Sequence, residues 1–180
     1  MKNERTKKLA YAALFLALCL VLPMLTGQIP QIGSMLLPMH IPVLLCGLVC
    51  GWQYGAAVGF VAPLLRSVLF GMPPMYPVAI AMAFELLTYG LVIGLVYRRM
   101  AQKGAAGVYA ALLAAMVAGR LVWGVAEVVL LGLGGKAFTA QAFLAGALLN
   151  AVPGIIVQLV LIPAVMAALQ KAGAVKEYAE

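Results

Sequence analysis

Four ionisable side chains lie inside long apolar runs of this chain: Arg66, Glu85, Arg120 and Glu127. A charge at mid-membrane carries a penalty of at least about 2.5–3.5 kcal/mol on insertion scales, so each such residue needs a partner or a task. Two cations and two anions allow mutual neutralisation inside the fold. They equally allow a polar pocket between helices that meets a polar ligand. Arg66 has no acid within reach along its own run. Its planar guanidinium suits a ligand carboxylate through two parallel bonds, with Glu85 as the competing partner. Arg120 and Glu127 are seven residues apart and point to roughly one helix face, with Trp123 and Gly124 between them. Tyr89 follows Glu85 by four residues and shares its side, while Asn150 and the deeper Gln158 add amides. His40 stands near the start of an apolar run, where an interfacial histidine satisfied by its neighbours is the plainer reading beside that of a ligand contact.

Other chemistries find no support. There is no G-x-x-x-x-G-K-[ST] stretch to cradle ATP phosphates and no H-E-x-x-H zinc motif. A single histidine leaves no room for several hydrolytic sets. Cys19, Cys46 and Cys50 all sit in apolar segments, where free cysteine behaves as a small packing residue. Neither a disulfide nor a metal site is expected, no cofactor is implied, and the chain is not read as an enzyme. If it moves a solute by ATP hydrolysis, another subunit supplies the ATPase.

The elements that must position these residues are membrane helices. The 180 residues are 66% hydrophobic and only 9% charged, whereas a soluble domain is nearer half apolar and a quarter charged. A fold this small cannot hide so much apolar surface from water. The basic start, "MKNERTKK", and the apolar stretch after it resemble a signal peptide. However, no small-x-small cleavage site follows, and the rest of the chain is as apolar, so a retained first helix is expected. Apolar runs are placed at about 8–26, 38–51, 54–70, 77–97, 105–132 and 140–169, which makes one domain, 1–180, of six transmembrane helices. The net charge of +7 reads as topology signal and not as nucleic-acid binding. With the N-terminus inside, Lys2, Arg5, Lys7, Lys8, Arg98, Arg99, Lys103, Lys171 and Lys176 are cytoplasmic, and the outer loops carry only Lys136. Both termini are therefore expected in the cytoplasm.

On that topology the chemically varied loops face outward. "GQIPQIGSMLLP" brings Gln28 and Gln31, and "GMPPMYP" brings Met72 and Met75; these four are candidates for a closing gate. Arg66 falls about 6 Å and Glu85 about 12 Å below the outer helix ends, with Glu127 about a turn and a half down and Arg120 deeper. The polar groups thus gather in the outer half. Trp52, Tyr54 and Tyr97 fall at inner boundaries, where aromatic belts are expected. In the first helix Ala13 and Ala17 stack four apart, a spacing that lets another helix approach closely in lipid.

Size, six spans, Ala13-x-x-x-Ala17 and long outer loops over a polar pocket resemble the substrate-binding S components of energy-coupling factor (ECF) vitamin transporters, over essentially the full length. "LPMHIPVLLCGLVCGWQYGAAVGFVAPLLRSVLFGMPPMYPVAIAMAFELLTYGLV" is the stretch that carries the likeness most specifically, and it looks like an uncharacterised or pantothenate-assigned branch. The resemblance implies an all-α bundle in a prokaryotic plasma membrane that binds a vitamin near its outer face with high affinity. It also implies docking through the face of Ala13 and Ala17 on a transmembrane coupling subunit driven by two ATPases. It implies no particular ligand contacts; Arg66, Glu85, Tyr89, Arg120, Trp123, Glu127 and Asn150 come from the residues themselves. Pantothenate is the first expectation, with cobalamin or a pyridoxine-like compound behind it. A stand-alone secondary transporter using Glu85 or Glu127 for protons is the main rival, although no internal repeat is evident. An intramembrane enzyme lacks a nucleophile–base set, and a purely structural subunit has no use for so many polar groups in one half.

Overall fold

The computed structural model describes residues 2–25, 35–100, 104–135, 137–146 and 150–173. The helices are α1 (Lys2–Leu25), α2 (His40–Cys50), α3 (Trp52–Phe70), α4 (Ile80–Met100), α5 (Ala105–Leu133), α6 (Ala140–Leu144) and α7 (Val152–Lys171). A π-helical turn, Met75–Ala79, leads into α4. The described residues include no strand. Five helices are long and apolar enough to cross a membrane, α4 together with its π turn among them; α2 is a shorter apolar helix. At 1.5 Å per residue α2 reaches about 16 Å, half a hydrocarbon core.

The expected run over about 140–169 is divided in two. Thr139 accepts a hydrogen bond from the Ala142 N–H at 3.2 Å and starts the short α6. The long helix begins only at Val152, with Pro153 in its first turn, where a missing N–H is no loss. Hydropathy alone could not separate them, because the intervening residues are as apolar as the helix.

Bulkless residues decide how α2, α3 and α4 meet. A Cβ added to Gly55 of α3 would lie 2.7 Å from the Gly47 Cα and 2.8 Å from the Gly90 carbonyl oxygen. A Cβ on Gly90 would overlap the Gly55 backbone, so three helices touch main chain to main chain here. In lipid, such close approach supplies the packing that apolar side chains alone do not. The reversal between α2 and α3 is made by Gly51 at φ +99°, a conformation open mainly to glycine. The broadest helix contacts are α4 with α5 and α3 with α4, while α7 packs lightly on α5 and α2.

Lys8 of α1, Gly51 at the α2–α3 junction and Arg98 of α4 border one cleft. Gln170 of α7 donates to the Tyr97 hydroxyl at 3.3 Å. The start of α1 and the end of α7 thus lie at the same end of the bundle, here called the terminal end; the opposite end is the distal end. This is the arrangement an even number of crossings requires.

The glycine contact predicts that Gly55→Leu lowers stability by about 1–3 kcal/mol, the usual penalty of overpacking. Gly132→Ala, where an added Cβ meets nothing within 4 Å, leaves the thermal midpoint unchanged or slightly raised. Thermal unfolding in detergent measures both; equal midpoints for the two variants would exclude the close approach.

Candidate functional site

The distal half of α4 holds a buried carboxylate with two cationic or polar neighbours. Glu85 Oε1 lies 2.9 Å from Arg120 Nη1 of α5 and 3.3 Å from His40 Nε2 of α2. His40 and Glu85 are almost fully buried, and Arg120 is 13% exposed. One turn along α4 from Glu85, Tyr89 sets its ring edge-on to His40, with centroids 5.1 Å apart and planes at 86°. Gly119, beside Arg120, makes room for that ring, since an added Cβ would fall 2.5 Å from it. Three helices thus bring four polar side chains into one cluster. The pairing answers the desolvation of Glu85, because a lone carboxylate in lipid is expensive and a bracketed one is not.

Mutual neutralisation does not account for the whole cluster. Among the described residues, Arg120 Nε and Nη2, His40 Nδ1 and both amide atoms of Gln158 are buried without a hydrogen-bond partner. Gln158 belongs to the same level: an added Cβ on Gly154, one turn earlier in α7, would meet the backbone of Met35 and Leu36, one turn before His40. Buried polar atoms in native folds are nearly always satisfied by protein or by water, so these atoms mark where water or a ligand would complete the bonding. Nε and Nη2 form one edge of the guanidinium, the edge that takes a carboxylate with two parallel bonds. The Gln158 amide is carried by the lightly packed α7.

The other expected residues fall in several places. Arg66 is buried, but its guanidinium donates to the Leu20 carbonyl of α1 and lies 5.2 Å from the Phe70 ring centroid. Glu85 is not its partner. Through the Leu20 carbonyl, in the turn before Pro23, Arg66 holds α1 to α3. Glu127 is buried and takes part in no ion pair among the described residues. Trp123 is engaged with the segment after α5: Phe143 stacks on it at 6.1 Å and Phe138 meets it edge-on at 5.7 Å. Asn150 lies exposed in the turn before α7. Met72 is half-buried and Met75 exposed beside the π turn, which Tyr76 ties to α5 by donating to the Leu130 carbonyl. Gln28 and Gln31 lie outside the described residues. Ala13 and Ala17 are both exposed on α1.

Two members of the cluster were underweighted by the sequence reading. His40 looked like an interfacial residue, and only the fold sets it against Glu85. Gln158 reads from the sequence as a deep amide, and its place in mid-helix is the signal.

A family model for the ECF transporter substrate-specific component matches residues 7–167. The chain belongs to this family. No curated protein and no solved structure is similar enough to match it. As a substrate-specific component it is a multi-pass plasma-membrane protein that binds a small molecule and works with the ECF energy-coupling module. Such a component is a transport subunit and has no ATPase of its own.

The cluster predicts strong coupling between Glu85 and Arg120. Glu85→Leu alone strands a buried guanidinium and destabilises the S component by about 3–5 kcal/mol. Glu85→Leu with Arg120→Met restores most of the thermal midpoint, as replacing a buried pair with apolar groups often does. A double variant no more stable than the single one would show that the pair is not coupled.

Proposed function

We propose that this S component is the high-affinity vitamin-binding subunit of an ATP-driven ECF importer, that its distal end faces outward with both termini in the cytoplasm, and that its substrate is pantothenate. The reading rests on the unsatisfied edge of Arg120, together with the unsatisfied amide of Gln158 at a similar level of the bundle. Pantothenate bears one carboxylate, one amide and two hydroxyls. The carboxylate matches Arg120 Nε and Nη2; an amide or hydroxyl matches Gln158, which both donates and accepts. Glu85, steadied by His40, holds the third nitrogen of Arg120 and so aims the free edge. Glu127 and Tyr89 complete the polar wall, and Met72 and Met75, with the segment bearing Gln28 and Gln31, are the gate. Arg66 acts on the shape of the site through α1, and Trp123 through its stack on Phe143. Asn150 serves at the rim.

The orientation rests on charge. Lys7, Lys8, Arg98, Arg99 and Lys171 all belong to helix ends at the terminal end, and an excess of cations marks the cytoplasmic side. The energy comes from partners, a transmembrane coupling subunit and two ATPases, since no phosphate-cradling motif is present. The exposed Ala13 and Ala17 offer α1 as the docking face, because small residues four apart admit a second helix.

Calorimetry on the purified S component tests the site. Pantothenate is expected to bind tightly, and its neutral alcohol analogue pantothenol more weakly. Arg120→Ala is expected to weaken pantothenate by roughly 10–100-fold, the worth of a lost charge-assisted bond, and to erase the preference over pantothenol. Arg66→Ala is expected to lower the thermal midpoint more than the affinity. Equal binding of both compounds, or unchanged affinity in Arg120→Ala, would overturn the assignment of Arg120. Ala13→Trp is expected to keep binding and abolish uptake in cells. Normal uptake in that variant, or in a host without the coupling module, would contradict the importer reading.

A further inference from the structure

The terminal end contains a second polar site that substrate binding leaves unused. A cleft of about 260 Å³ opens there between α1, the α2–α3 junction and α4. Its inner part is built on Gly47 and Gly94, at two close helix contacts: an added Cβ on Gly94 would lie 2.5 Å from the Trp52 nitrogen. Trp52 and Tyr97 form walls, and Gln170 of α7 braces Tyr97 from outside. Lys8 and Arg98, from α1 and α4, line the cleft from two sides, and Gln53 adds an amide. None of the described lining residues is acidic. Neither cation has a carboxylate within ion-pair reach among the described residues.

Lys8 is half-buried and Arg98 exposed, and two cations from different helices lining one small space favour an anion between them. Trp and Tyr at this level mark the headgroup zone of a bilayer, and basic recesses between membrane helices suit phosphate headgroups. Beyond Lys8, α1 exposes apolar side chains such as Leu9 and Leu14 to the lipid. We propose that this cleft binds a phosphate monoanion between Lys8 and Arg98, with Gln53 as a further donor, and that the phosphodiester of an anionic lipid is its source. Bound there, the headgroup links α1 to α4 across the start of α3. A site of this kind differs from a diffuse positive rim in that it depends on these two cations and not on their neighbours.

Native mass spectrometry of the detergent-purified S component tests this, with short-chain phosphatidylglycerol, phosphatidylcholine and inorganic phosphate added separately. Phosphatidylglycerol is expected to be retained preferentially over phosphatidylcholine. Lys8→Ala with Arg98→Ala is expected to reduce its retention roughly 25-fold, about fivefold for each cation removed near a membrane surface. Lys7→Ala with Arg99→Ala removes as much charge from exposed positions that do not line the cleft, and is expected to keep the preference. Inorganic phosphate bound as tightly as phosphatidylglycerol would retain the phosphate site but overturn the lipid as its source. Equal retention of the two lipids, or equal losses in the two double variants, would overturn the site itself.

Discussion

The carboxylate of Glu85 imposes the constraint from which the distal half of this molecule follows. In lipid it cannot stand alone, so α4 must present it to α5, where Arg120 waits, and to α2, where His40 begins the helix. Those two contacts fix the rotation of three helices about their axes. They also consume only one of Arg120's three nitrogens. The same arrangement that makes a buried charge tolerable therefore leaves a directional donor edge in a low-dielectric setting, where a hydrogen bond to an anion counts for most.

That arrangement needs rigid support, and the glycine contacts supply it. Gly47, Gly55 and Gly90 bring α2, α3 and α4 to main-chain distance below the cluster. Gly119 gives Tyr89 the space to stand edge-on to His40. By contrast α7, which brings Gln158, is packed lightly on its neighbours. A close-packed body with one loosely held wall is a reasonable build for a site that admits and later releases a small molecule. Arg66 belongs to the body: its bond to the Leu20 carbonyl joins α3 to the proline-bearing end of α1.

Much of the fold was legible because membrane helices announce themselves. Composition named the solvent, and runs of apolar residues located α2, α3, α4 and α5 to within about three residues, whereas α1 starts six residues before its apolar run. Glycine and proline mark most of the breaks; between α6 and α7 hydropathy stays high, and Asn150 and Pro153 are the marks of the break. For the site, residue type was informative and partnership was not. Glu85 and Arg120 stand out as charges in lipid, yet which cation meets Glu85 depends on helix rotation, which hydropathy does not record. Arg66 therefore looked like the more exposed candidate for an anion, whereas its reach toward the α1 backbone became visible only with α1 in place. His40 reads from the sequence as a satisfied interfacial histidine, and its contact with Glu85 spans 45 residues of chain. The family model over residues 7–167 agrees with the family resemblance carried most specifically by the stretch over 37–92.

The central claim is that the unsatisfied edge of Arg120 and the amide of Gln158 are completed by a small polar molecule from outside the protein. Native mass spectrometry of the protein purified from cells grown in rich medium tests this most directly. The account predicts a stoichiometric small-molecule adduct on the wild-type chain that is absent from a folded Arg120→Ala, Gln158→Leu variant. An adduct retained equally by both proteins, or a wild-type chain that stays bare even with vitamins added in excess, would contradict it.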